Sequence, residues 1–174
     1  MSCILVAYAS RAGSTAEVAE TIGQVLRERG AVVDVRPVKD VHDIGGYQAV
    51  VLGSAVWAGR PLPEAVKFAT VQQRALADLP VAYFILCERL QNNTPDNREI
   101  VRGYVEPLRQ LKEPLSVGLF AGKRDLSQTN PVVRWLLQKL FKITEGDWRE
   151  WELIRAWVAD LVPRLAVGEV LVHV

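Results

Sequence analysis

The chain has 174 residues, 49% of them hydrophobic, and 21 basic against 20 acidic side chains leave a formal net charge of +1. That size and apolar share suit one compact domain with a sizeable core, and the balanced charge argues against a nucleic-acid partner. Two cysteines, Cys3 and Cys87, form neither a disulfide framework nor a zinc-ligand spacing, so a reducing, cytoplasmic setting without a metal is the expectation.

In chain order, Cys3 to Tyr8 (CILVAY) is an apolar run of strand length. It is too short to span a membrane, lacks the basic flank of a signal peptide, and reads as a strand covered on both faces. Thr15 to Arg29 carries Val18, Ile22, Val25 and Leu26 on one face and stops at Gly30, which predicts an amphipathic helix. A second strand is expected at Ala31 to Val35, and a third within YQAVVLGS (47–54). A helix follows from Pro63 to about Ala77, then a fourth strand, VAYFILC (81–87). Pro95 to Leu111 reads as mostly helical, and LSVGLFAG (115–122) as a fifth strand. Two more helical patterns cover Asn130 to Ile143 and Trp148 to Leu165, and a β-forming tail, VGEVLVHV, closes the chain.

Strands alternating with helices predict an α/β fold with a parallel sheet covered on both faces. In such sheets ligands bind at the carboxyl ends of the strands, where the strand order reverses. The loops that matter are therefore 9–15, 54–60, 88–94 and 122–130.

The first of these, YASRAGST (8–15), places Ser10, Arg11, Ala12, Gly13, Ser14 and Thr15 where a strand turns into a helix. Free backbone N–H groups, hydroxyl donors and a glycine that permits close approach make a phosphate cradle. The loop is neither a Walker loop nor a dinucleotide fingerprint. An equally open reading is a plain helix start with Ser14 as N-cap and Glu17 completing a capping box.

Together, YASRAGST and GSAVWAGR (53–60) resemble the flavodoxin-like FMN-binding family, and the likeness runs over nearly the whole chain. It implies a doubly wound five-stranded parallel sheet with helices on both faces, and FMN as cofactor. It implies that Ser10, Arg11, Ala12, Gly13, Ser14 and Thr15 meet the phosphate, with Ala12 standing where flavodoxins usually have threonine. Ser54, Ala55, Val56, Trp57, Ala58 and Gly59 match the second loop, with Trp57 against the isoalloxazine ring. Cys87, Glu88 and Arg89, in CERLQNN, match the third. The segments GLFAGKRDLSQTNPVVRWLLQKL (118–140) and GDWREWELIRAWVADL (146–161) look like the menaquinone-dependent protoporphyrinogen oxidase branch. That branch has a helical insertion after the fifth strand, here about 123–147, and an aspartate–aromatic motif before the last helix. The resemblance implies an FMN-dependent oxidoreductase passing electrons from a reduced organic substrate, in that branch a porphyrinogen, to a quinone or similar acceptor. The alternative is a flavodoxin-type electron carrier serving a protein redox partner.

Charge separates the two readings. Carriers of this kind are typically acidic, whereas here the first two loops contribute Arg11 and Arg60, and Glu88 cancels Arg89. Positive charge beside a flavin stabilises its reduced anion and favours the oxidoreductase. No protein acid or base stands out: His42 and His173 are isolated, and Cys87 reads as a buried, inert thiol. Trp135, Trp148, Trp151 and Trp157 fall on helical patterns and read as packing residues, while Arg102, Glu106, Arg109 and Lys112 read as a solvated face.

Segment 130–143, NPVVRWLLQKLFKI, has an apolar arc over more than half of a helical wheel and a polar strip with cations but no acid. It is read either as a helix buried by its own domain or by a second subunit, or as a peripheral contact with an anionic bilayer at the inner face of the cell membrane. The strand-like tail, 166–174, offers pairing between two copies and hence a homodimer.

Overall fold

The computed structural model describes residues 3–127 and 129–165. In chain order the elements are β1 (Cys3–Ala9), α1 (Ser14–Glu28), β2 (Val32–Pro37), β3 (Ala49–Trp57), β4 (Arg60–Pro61), α2 (Pro63–Val71), α3 (Gln73–Leu76) and β5 (Val81–Leu86). They continue with α4 (Pro95–Tyr104), α5 (Glu106–Arg109), β6 (Ser116–Phe120), β7 (Lys123–Arg124), α6 (Pro131–Leu140), β8 (Gly146–Asp147) and α7 (Trp151–Leu165). The tail named above as a pairing strand lies outside the described residues.

Five strands run parallel in the order β2-β1-β3-β5-β6. This is the doubly wound sheet expected, and the chain reverses direction across it between β1 and β3. Every residue of β5 is buried, because helices cover both faces of the sheet. One layer packs Ile22 and Leu26 of α1 and Ile154 and Val158 of α7 against Val6 and Phe84. The other packs Phe68 and Leu76 and the α4–α5 pair, through Val101 and Leu108, against Leu52 and Tyr83. At Gly53 the sheet admits no side chain: a Cβ there would lie 1.9 Å from Cζ of Phe84 on the neighbouring strand.

Element boundaries follow local chemistry. α1 stops two residues before Gly30, whose φ of +90° is left-handed. Its N–H donates to Arg27 O at 2.9 Å, and Ala31 N–H donates to Leu26 O at 3.2 Å. The single helix expected over 95–111 is two, because Pro107 has no N–H to continue the first. α7 starts at Trp151 rather than Trp148, since Asp147 belongs to β8 and accepts from Arg149 N–H at 3.1 Å.

Two short pairings were not legible in the pattern. β4 runs antiparallel to β3, with Trp57 opposite Arg60. The intervening Ala58 and Gly59 both have positive φ, 48° and 74°, as a two-residue hairpin with the right twist requires. β7 pairs antiparallel with β8, Lys123 opposite Asp147 and Arg124 opposite Gly146, so the segment between them leaves and rejoins the sheet edge at one place. That excursion carries α6, whose N-terminus Asn130 caps by accepting from Val132 N–H at 2.9 Å. No residue of α6 is buried. Burial by its own domain is therefore overturned for this helix, because β7 and β8 hold it outside both packed layers. Trp135 is corrected likewise: it is exposed, whereas Trp148, Trp151 and Trp157 pack against the core. Trp157 donates to Ser116 Oγ at 2.9 Å and meets Phe120 edge-on.

Candidate functional site

At the carboxyl ends of the strands a cleft of about 360 Å³ opens beside the point where the strand order reverses. Ser10, Arg11, Ala12, Ser14 and Thr15 line it from the first loop, Ala55, Val56, Trp57 and Gly59 from the second, and Cys87, Glu88 and Arg89 from the third. Three residues expected with them, Gly13, Ser54 and Ala58, do not line it. Leu62, Leu86, Tyr104, Gly122 and Lys123 do.

The first loop is shaped by Gly13, which sits before α1 with φ of +86°. Its N–H donates to Ser10 Oγ at 3.0 Å, which leaves the Ser10 hydroxyl proton to donate elsewhere. No side chain caps α1. The capping-box alternative is thereby overturned: Gly13 takes the cap position, Ser14 is already helical, and Glu17 pairs with Arg149 instead. The N–H groups of the first turn have no carbonyl partner within the helix, and they carry its positive end. Thr15 adds the decisive feature. Its side chain is fully buried and its Oγ1 has no hydrogen-bond partner. A buried hydroxyl is seldom left unpaired. An uncapped helix start with an orphaned hydroxyl fits a small anion.

The second loop is held by backbone chemistry. Ser54 is fully buried, donates to Ala55 O at 2.7 Å and accepts from Leu62 N–H at 2.9 Å. Its hydroxyl is thus used in fixing the turn, a correction to its expected place in the site. The β3–β4 hairpin ends on Trp57, which leaves 65% of its surface exposed at the mouth of the cleft. Tyr104, at the end of α4, packs beneath the turn, with Cε1 3.3 Å from where a Gly59 Cβ would sit.

In the third loop Cys87 donates its N–H to Phe120 O at 3.0 Å. Burial pushes its thiol pKa up, as suits an unreactive cysteine. Glu88 is held by Arg124 of β7, whose Nε donates to Oε1 at 2.5 Å. Arg124 also donates to Thr144 O at 3.3 Å and lies over the Trp148 ring. Glu88 is therefore balanced by Arg124 rather than by Arg89 as the sequence suggested. Arg11, Arg89 and Lys123, the last 3.9 Å from Asp125, outnumber Glu88 in the lining of the cleft. Arg60 lies elsewhere, lining a groove with Pro61, Pro63 and Lys67.

Lys123 could have been found, since it opens a loop at a strand carboxyl end. Tyr104 gave no signal, being one more residue of a helical pattern. Among the described residues, no three of His, Cys, Asp or Glu cluster as metal ligands, and no helix is long and apolar enough to cross a membrane.

Residues 5–150 match the family model for the flavodoxin domain. No curated protein sequence matches the chain significantly. Among solved structures, oxidised flavodoxin 1 from Bacillus cereus is similar with a TM-score of 0.61 at 18% identity, over 95% of this chain and 100% of that one. A Fusobacterium nucleatum flavodoxin mutant bound to flavin mononucleotide is similar with a TM-score of 0.52 at 16% identity, over 74% and 72%. Rubredoxin oxygen:oxidoreductase from Desulfovibrio gigas gives a TM-score of 0.57 at 14% identity, over 95% of this chain and 36% of that one. At these identities the likeness is one of fold.

Proposed function

The chain belongs to the flavodoxin domain family, and on that premise we propose that its cleft holds FMN in a redox protein that passes electrons to a partner. The observation that carries this is the orphaned Thr15 Oγ1 at the uncapped start of α1. Thr15, Ser10 and the first-turn N–H groups would hold the phosphate, and Trp57 would offer its face to the ring system. Bound there, FMN would supply one- and two-electron redox chemistry. The side chains orient it, and Arg11, Arg89 and Lys123 favour negative charge beside it.

The finer reading is an oxidoreductase of the protoporphyrinogen oxidase type, taking electrons from a reduced organic substrate and passing them to a quinone. The cationic cleft supports it. So does the segment formed by α6 and the residues just after it, which presents exposed Val132, Trp135, Leu140 and Phe141 together with Lys139 and Lys142, and has no acid from Pro131 to Ile143. An apolar face bordered by cations suits an anionic bilayer, where lipid-soluble quinones reside. This would place the protein peripherally at the inner face of the cell membrane. The second reading, an electron carrier for a protein partner, is favoured by the match to small flavodoxins over their whole length.

Purified protein should absorb as a flavoprotein and release FMN on denaturation. Anaerobically reduced protein should then be reoxidised by a menaquinone analogue in liposomes. Protein without flavin affinity would overturn the proposal, and flavoprotein inert to quinone would leave the carrier.

A further inference from the structure

The GDWREW segment contains a buried charge that the proposed chemistry does not use. Arg149 leaves 4% of its side chain exposed. Its guanidinium donates through Nε and Nη2 to Asp147 at 2.8 and 2.6 Å. Nη1 donates to Glu17 Oε2 in the first turn of α1 and lies 3.5 Å from Ser14 O. The ring of Trp151 covers it, 4.6 Å from centroid to Cζ. Residues 132 positions apart are thus joined beside the start of α1.

Glu17 is an awkward neighbour for an anion site. An acid in a first helical turn complements the helix dipole, but it repels a phosphate dianion that needs the same dipole. We infer that Arg149 is a positioning residue for phosphate recognition: it masks the Glu17 carboxylate, and so leaves the positive end of α1 to the ligand. The inference rests on the reading that the first loop takes the FMN phosphate. Glu17, Asp147 and Arg149 together carry a net −1 in the wild type. Arg149→Gln makes this −2, and adding Glu17→Gln returns it to −1.

The test is a set of dissociation constants for FMN and for riboflavin, which lacks the phosphate, by flavin fluorescence at low and high salt. The full-length wild type, Arg149→Gln, Glu17→Gln and the double variant are compared. Arg149→Gln should weaken FMN by about tenfold at low salt and riboflavin by less than about twofold, with the difference shrinking at high salt. Glu17→Gln should restore most of the loss in the double variant, and alone, where it brings the cluster to zero, should strengthen FMN by a similar factor, because removing one negative charge acts on the phosphate in either background. Equal weakening of both flavins, or no rescue by Glu17→Gln, would mean that Arg149 only holds the fold, and the inference fails. Should Arg149→Gln not fold, the Glu17→Gln variant still decides: a gain for FMN over riboflavin at low salt supports the inference, and no gain would show that the carboxylate does not act on the phosphate and would overturn it. If the wild type binds riboflavin as tightly as FMN, the phosphate reading itself falls, and this inference with it.

Discussion

The Arg11 guanidinium lies over the ring of Trp57, with Cζ 5.3 Å from the ring centroid. The first and second loops thus meet across the mouth of the cleft, a cation from one on an aromatic face from the other. The pair separates two contributions to flavin binding. Trp57→Ala should weaken FMN and riboflavin alike, by about tenfold, because both share the ring that would stack. Ser10→Ala with Thr15→Ala should weaken FMN and spare riboflavin. Fluorescence titration of both ligands checks this, and a Trp57→Ala variant with undiminished affinity would remove the tryptophan from the site.

The cationic lining should raise the two-electron midpoint potential of a bound flavin. Lys123→Glu and Arg89→Glu should each lower it by roughly 20–40 mV at low salt, and less at high salt. Arg60→Glu should have a smaller effect, since Arg60 lines a different groove. Redox titration of the four proteins decides, and an unchanged potential in both cleft variants would withdraw the electrostatic support for the oxidoreductase.

α6 should bring the folded protein down with anionic liposomes at low salt and release it at high salt. Trp135→Ser with Phe141→Ser should abolish sedimentation without altering the fold, because both side chains are exposed. Wild type that stays in the supernatant at low salt would end the membrane assignment.

Gly53→Ala should cost about 1–3 kcal/mol of stability through overpacking. The new methyl would fall on the Phe84 ring, 1.9 Å from Cζ and 2.3 Å from both Cε atoms. Urea denaturation measures it, and Phe84→Leu in the same chain should recover part of the loss.

Asp147 links acidity to the same clasp. Hydrogen bonds from the Arg149 side chain hold its carboxyl below the usual range, against a smaller opposing effect of burial. A carboxyl lowered in the folded state adds stability that is fully present above its unfolded pKa, about 4, and is lost as pH falls through the folded value. Wild type should therefore lose more stability between pH 7 and pH 3 than Asp147→Asn. The difference will be small, because Asp147 is 41% exposed and partly screened. Equal losses in urea titrations at the two pH values would refute the link.

The sequence by itself determined what depends on near neighbours along the chain. The apolar run of β5, the amphipathic face of α1 and its stop at Gly30 are local patterns that burial and backbone freedom impose directly. The loops at 8–15 and 53–60 were legible because each follows a strand and carries its own polar residues. Tertiary structure alone decided the rest, because it depends on contacts between distant segments. Glu88 reads as balanced by its neighbour Arg89, yet its partner is Arg124, 36 positions away. Glu17 reads as half of a capping box, yet the positive φ of Gly13 removes that role and Arg149 claims the carboxylate. Ser54 reads as a ligand residue, yet the β3–β4 turn consumes both ends of its hydroxyl. The amphipathic pattern of α6 is plain in the sequence. Only the pairing of β7 with β8 shows that its apolar face points away from both layers, since a pattern records which face is apolar and not what covers it.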